Sequence, residues 1–286
     1  MSPSGNTAVS APFVTGGATR RPSVALWEQL RELYRFRGLL GSWTLRDVRI
    51  KYKQTALGIG WALLQPVIMM VALTVIFSRF YRLPSDGIPY PIFVYTALLP
   101  WIFFATSLTL ASTSLVSNMQ LVTKVYFPRE ILPLASVAGC LLDLAIGLVV
   151  FVGLMLFYQV GITPRLLLVP VLVTVQVILT AAVALLAAGL CVFYRDLKYA
   201  LPFGIQLWMF VTPVVYPLSA VPERYRTAYL CLNPMAGIVE GYRRLILWRT
   251  VPDLLPLYLA ALVSVVLFLC AYAVFKRWEE LFADVI

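Results

Sequence analysis

Asp143 is the one ionisable residue inside a long apolar run, in the stretch SVAGCLLDLAIGLVV. A carboxylate at such depth either handles protons or ions, or accepts a buried hydrogen bond from a backbone or hydroxyl donor. No Lys, Arg or His stands in a span to pair with it, so the buried hydrogen bond is favoured and proton-driven transport disfavoured. Histidine is absent altogether, which removes the commonest acid-base group and metal ligand. Cys140, Cys191, Cys231 and Cys270 contain no C-x-x-C pair and are expected to be small apolar fillers, so no metal or redox site is predicted. None of the five lysines, Lys51, Lys53, Lys124, Lys198 and Lys276, follows a glycine, so no phosphate-cradling Walker A loop can form. If ATP is consumed, another chain must bind it. Asp86, Glu223, Glu240 and Asp253 form no recognisable catalytic pair either, which argues against a glycosyltransferase.

The elements that must position these residues are membrane helices. Hydrophobic residues make up 61% of the 286, charged ones only 13%, and the mean hydropathy is +0.86, far from the norm of soluble domains. Hydrocarbon ~30 Å thick needs about 20 helical residues. Charge-poor runs of that size occur at Leu57–Ser78, Pro91–Leu115, Ile131–Tyr158, Leu166–Tyr194, Ala200–Ala220 and Leu254–Phe275. They are continuous and lack the alternation of barrel strands, so an all-α fold with six transmembrane helices is predicted.

Nine Lys and Arg crowd residues 20–53, and with the later loops fifteen basic residues fall on one side against eight on the other. That excess places both termini in the cytoplasm. The net charge of +10 is therefore a topology signal, helped by anionic headgroups, and not a nucleic-acid footprint. Residues 1–22 are rich in Ser, Thr, Gly and Pro without an apolar core, so a disordered cytoplasmic tail is expected there and not a cleavable signal peptide.

Residues 23–40 place Leu26, Trp27, Leu30, Leu33 and Tyr34 at helical spacing opposite Glu28, Gln29, Arg31, Glu32 and Arg35. An interfacial amphipathic helix fits, alone or packed on a partner subunit. The transmembrane domain then occupies 41–286. On the outer side, residues 221–249 are half apolar and split by Asn233-Pro234. Two pieces too short to span fit a re-entrant helical hairpin; the alternative is an ordinary outer loop with one surface helix.

Three stretches carry a family likeness: YKQTALGIGWALLQPVIMMV, then YPIFVYTALLPWIFFATSLTLASTSLVSNMQLVTKVYFPREILPLAS, then FYRDLKYALPFGIQLWMFVTPVVYPLSAVPERYRTAYLCLNPMAGIVEGYRRLIL. From about Leu40 to Trp248, in order and spacing, the chain resembles the membrane subunit of ABC-2 type polysaccharide exporters, which include O-antigen, capsule and teichoic acid permeases. The resemblance implies a homodimer in the bacterial cytoplasmic (inner) membrane, with no nucleotide site of its own. Two copies of a separate cytoplasmic ATPase would bind ATP and Mg. The cargo would be an undecaprenyl-pyrophosphate-linked glycan, the alternative being a drug or small-lipid exporter of the same superfamily or a purely structural assembly protein.

It also implies a coupling helix seated in the ATPase over residues 118–129, with Lys124, Tyr126, Phe127, Arg129 and Glu130 as its contacts and Arg195 and Asp196 as a second, weaker one; Lys198 marks the membrane boundary equally well. Arg46, Arg49, Lys51 and Lys53 sit at the cytoplasmic headgroup level, where an anionic lipid-linked sugar would arrive. Beyond them Gly58 and Gly60 allow close backbone approach, while Pro66 loosens the helix near Gln65, as a dimer seam, a movable gate or static packing would use. Aromatic rings can stack on sugars, so Phe77, Phe80, Tyr81, Trp101, Phe104, Trp208, Phe210 and Tyr216 are candidates to line a channel; lipid-facing or interfacial positions are the alternative. The last helix of that set carries Pro202, Pro213 and Pro217, and broken helices are tolerated where they line a cavity.

Overall fold

The computed structural model describes residues 26–53, 58–80, 84–124, 127–161, 163–248 and 255–285. All regular structure among them is helical: α1 (Leu26–Arg35), α2 (Arg37–Tyr52), α3 (Gly60–Thr74), α4 (Tyr90–Ser117), α5 (Met119–Lys124), α6 (Ile131–Phe157), α7 (Val169–Phe193), α8 (Leu197–Val211), α9 (Glu223–Leu232), α10 (Pro234–Ile246) and α11 (Leu255–Val285). A π-helical turn, Val75–Phe80, extends α3, and a 3-10 turn, Pro164–Leu168, leads into α7.

Five of these segments are long and apolar enough to cross a bilayer: Gly60–Ser78, Tyr90–Ser117, Ile131–Phe157, Pro164–Phe193 and Leu255–Phe282. The run expected to cross at 200–220 is shorter as a helix. Only 15 residues, Leu197–Val211, form α8, a rise of about 22 Å at ~1.5 Å per residue. It stops where Pro213 and Pro217 withhold two amides, and the chain turns through 212–217 into a 3-10 turn at Leu218–Ala220.

The core is built around α4, which is apolar on every side and buried along most of its length. It packs against α3, α6, α7, α8 and α10. Pro100 interrupts its hydrogen-bond ladder, and Gln176 of α7 enters there, its Nε2 donating to the Pro100 carbonyl at 2.8 Å while Tyr242 of α10 donates to its Oε1 at 2.9 Å. A fully buried amide thus stitches three helices together. On the far side α11 runs along α7 and α10. Close approach depends on Gly237, where an added Cβ would lie 2.6 Å from the Pro256 carbonyl oxygen and 2.9 Å from Ala260 Cβ.

The amphipathic stretch expected to end near residue 40 is divided at Phe36, and α2 continues to Tyr52, lying along α6. The glycines four residues either side of Asp143 face neighbouring helices: Gly139 lies against Val48 of α2, and Gly147 meets Leu99 of α4. Gly58 does something else. Among the described residues nothing lies within 4 Å of its Cβ position, but its φ of +49° is a turn that L side chains rarely adopt, and α3 starts from it.

Candidate functional site

Two helices keep large exposed faces on either side of the central one: α3, with Trp61, Ile68 and Val71, and α8, with Phe203, Leu207 and Phe210. Between them lies a groove of about 360 Å³ whose walls include Gln65, Met69, Thr106, Thr109, Pro202 and Gln206. A smaller cavity of about 100 Å³ adjoins it through Gln65, Ile102 and Thr106, and reaches Lys51, Tyr52 and Asp143. The groove wall is apolar with neutral amides and hydroxyls set into it. Such a surface can hydrogen-bond hydroxyl-rich cargo without the strong ionic contacts that would hold it fast.

The expected aromatic lining is rearranged. Trp101 (3% exposed) and Phe104 (0%) belong to the core, closing against Trp208 with ring centroids 6.4 and 5.2 Å away. Trp101 contributes only to the groove floor, and neither ring offers a face to cargo in this conformation. Trp208 is tied down further by its indole N–H, which donates to Asn233 Oδ1 at 3.2 Å. The Tyr216 hydroxyl donates to the Val211 carbonyl at 2.8 Å, capping the end of α8. Phe77 is half-buried against the core. Phe80 (78% exposed) and Phe210 (49%) remain at the surface, and Tyr81 lies outside the described residues. Aromatic identity could not separate core rings from surface rings, because both occur on the same helices.

Asp143 has partners that the sequence alone did not offer. Lys51 Nζ forms an ion pair with its Oδ2 and the Tyr52 hydroxyl donates to its Oδ1. Lys51 precedes the first apolar run, but α2 folds back along α6 and carries it to the carboxylate. Burial and the neighbouring Asp143 push the Tyr52 phenol above its ordinary range. Arg46 is also engaged within the chain, stacked 3.6 Å over Trp43, paired with Asp47 at 2.9 Å and donating to Asn118 Oδ1 at 3.3 Å. Arg49 and Lys53 are exposed.

At the joint between α4 and α6, α5 spans only Met119–Lys124 of the expected 118–129 helix. The Lys124 side chain and all of Tyr126 lie outside the described residues. Phe127 is buried and stacks on Trp43 at 6.5 Å. Arg129 and Glu130, expected to face a partner, turn inward to α11. The Arg129 amide donates to Glu279 Oε1 at 3.1 Å and its Nη1 to the Glu279 carbonyl at 2.8 Å. Glu130 (0% exposed) accepts from the Tyr272 hydroxyl at 2.9 Å and from Lys276 Nζ at 2.8 Å. Burial and the charge of Glu279 raise the Glu130 carboxyl above the usual range, with Lys276 opposing. Arg195 and Asp196 are exposed in the turn before α8.

The most deeply buried cation among the described residues lies in the 221–249 connection, where the sequence does not distinguish it from its basic neighbours. Arg243 of α10 is 0% exposed and donates to the carbonyls of Pro213 (2.7 Å), Val214 (2.6 Å) and Tyr216 (3.0 Å), with its guanidinium 3.7 Å over the Phe93 ring. Burial lowers its pKa to about 10, so it remains cationic at neutral pH. Asn233 Nδ2 adds a bond to Thr212 Oγ1 at 3.0 Å. A signal existed: prolines at 213 and 217 stop the helix and leave carbonyls in need of donors, and a basic residue in an apolar helix nearby is the natural source. Glu240 is also buried and pairs with Arg244 at 2.6 Å.

Comparison with known proteins gives a consistent result. The ABC-2 type transporter family matches residues 39–247. The chain is 35% identical over 257 residues to the O-antigen export system permease protein RfbA of Myxococcus xanthus, covering 89% of this chain and 98% of that protein. It is 29% identical over 244 residues to the RfbA permease of Klebsiella pneumoniae, covering 85% and 93%. With the polysialic acid transport protein KpsM of Escherichia coli it shares 24% over 241 residues, covering 82% and 92%.

Proposed function

This chain belongs to the ABC-2 type transporter family, and from that premise we propose that it is the permease subunit of an ATP-driven exporter of a lipid-linked cell-surface polysaccharide, O-antigen or a related glycan. The observation that carries this is the likeness to an O-antigen export permease over 98% of that protein's length. Transport is its role; ATP and Mg are bound and turned over by two copies of a separate cytoplasmic ATPase.

The chain resides in a bacterial cytoplasmic membrane with both termini inside, a sense supported by the basic residues before α3. α8 and the turn after it make the sixth crossing. α1 lies at the inner surface, and α9 with α10 form the outer re-entrant hairpin, an assignment supported by their bonds to the end of α8. Two copies pair so that the α3 and α8 faces enclose the groove as a shared path, with Phe80 and Phe210 as its ring surfaces. Arg49 and Lys53, beside Arg46 and Lys51, attract the pyrophosphate of an arriving undecaprenyl-linked glycan. The segment around α5, with Arg195 and Asp196 beside it, receives the ATPase; its closure tilts α3 and α8 and widens the path.

The test is reconstitution of the chain with its ATPase partner in proteoliposomes, with lipid-linked glycan and amphiphilic drugs offered in parallel. ATP-dependent movement of glycan that disappears without the ATPase is expected. Movement of drugs but not of glycan would replace the proposal with the small-molecule exporter.

A further inference from the structure

Four charged residues meet where the cytoplasmic joint touches the last helix: Lys276 of α11 pairs with Glu130 of the joint and with Glu279, while Arg129 reaches Glu279 through its backbone amide and, by Nη1, the Glu279 carbonyl. Their formal charges cancel. Lys276 Nζ sits between the two carboxylates, 2.8 Å from Glu130 Oε2 and 2.9 Å from Glu279 Oε2, and Tyr272 supplies a further donor to Glu130. Adhesion alone would not call for this, since a well-packed apolar contact holds as firmly as a buried ion pair without the desolvation cost. What charge-assisted bonds add is direction. Apolar faces can slide past each other by small steps, whereas Glu130, locked to Lys276 and Tyr272, cannot shift without leaving a buried carboxylate unpaired.

The other end of the same helix bears on the outer pair of short helices. α11 runs for 31 residues, about 46 Å at ~1.5 Å per residue. Near its start the Pro256 carbonyl and Ala260 press on Gly237 of α10, and α10 holds the broken end of α8 through Arg243. A displacement of the joint therefore has a stiff element to act on that reaches the outer side.

We propose that α11 is the strut of this transporter, with Lys276 and Glu279 as positioning residues that pass the movement of the Phe127–Glu130 joint into α11 and so to the α8 break. The proposal rests on the exporter function above. It assigns no contact with cargo or nucleotide to either residue.

The experiment uses the full permease-ATPase complex in proteoliposomes and reads three quantities: complex yield, ATP hydrolysis and glycan exported per ATP. Glu279→Gln keeps an acceptor for the Arg129 amide and removes only charge; Lys276→Met removes the shared cation; the exchange Glu130→Lys with Lys276→Glu restores opposite charges. The two single variants are expected to assemble and hydrolyse ATP while export per ATP falls about tenfold, a typical size for coupling between linked sites. The exchange is expected to recover part of it, because it restores the pair between 130 and 276 but leaves Tyr272 without its acceptor and sets a carboxylate at 276 beside Glu279. Export per ATP that stays at the parent value in Glu279→Gln overturns the proposal, as does a loss that tracks yield and hydrolysis in equal proportion, which marks a merely structural brace. If Lys276→Met does not accumulate, Glu279→Gln and the exchange decide by the same criteria. A parent complex that moves no glycan at all refutes the exporter function instead, and is seen before any variant is compared.

Discussion

Replacing Arg243 by Met isolates the clamp between α10 and the end of α8. Methionine keeps an unbranched stem in the same slot but removes donors to three carbonyls, at 2.6, 2.7 and 3.0 Å, and the cation 3.7 Å above Phe93. Hydrogen bonds to a charged group contribute about 1.5–3 kcal/mol each, and a desolvated cation-π contact about 2 kcal/mol. Their sum overstates the loss, because the variant also escapes the cost of burying a guanidinium, several kcal/mol by itself. A net destabilisation of about 3–5 kcal/mol remains, the usual result of removing one side of a buried charged network. The orphaned carbonyls find few substitutes nearby, since Pro213 and Pro217 have no amide hydrogen. For a protein of this size the loss corresponds to a Tm lower by roughly 10 °C. Arg243→Lys should fall between parent and Met, because one ammonium cannot span three acceptors in a fixed fork. Thermal unfolding of the detergent-purified protein measures both, and limited proteolysis across 212–222 should show earlier cleavage in the Met variant. An unfolding midpoint for Arg243→Met at the parent value would refute the clamp.

Four further substitutions have definite expected outcomes. Asp143→Leu should lower thermal stability by about 1–2 kcal/mol, since the Tyr52 hydroxyl loses its acceptor while the Lys51 side chain, 38% exposed, can turn to solvent; Asp143→Asn should cost less, and both should still export glycan. Loss of export in a fully stable Asp143→Asn protein would instead make the carboxylate a working proton or channel group. Trp101→Ala should destabilise by about 3–5 kcal/mol as a core truncation, whereas Phe210→Ala, at a 49% exposed position, should leave the melting curve nearly unchanged and alter glycan export rate in proteoliposomes.

Much of the architecture could be read from residue order alone. Runs without charge mark the five long helices, four of them to within a few residues, whereas the last continues ten residues past the expected end at Phe275, through Lys276, Arg277, Glu279 and Glu280 to Val285. The shortness of α8 follows from Pro213, although composition extends the apolar run to Ala220. The division at Asn233-Pro234 was equally legible, because a proline at the first position of a helix starts one well and continues one badly. Which aromatics face the groove was not legible. Trp101 and Phe210 are both apolar rings on largely apolar helices, and where a helix is apolar all round its period no longer identifies an inner face.

By itself, then, the order of residues determined the solvent each segment tolerates, the absence of a Walker A loop, and the motifs that place the chain in its family, since each depends on neighbours along the backbone. Only the tertiary structure decided which charges meet their partners: Lys51 with Asp143 across 92 positions, Lys276 with Glu130 across 146, and Arg243 with the carbonyls after α8. Those meetings depend on the tilt, rotation and axial offset of whole helices against each other. A local pattern carries no record of them, and for Glu130 and Arg243, both fully buried, the match must be right because an unpaired charge in a low-dielectric interior is so costly.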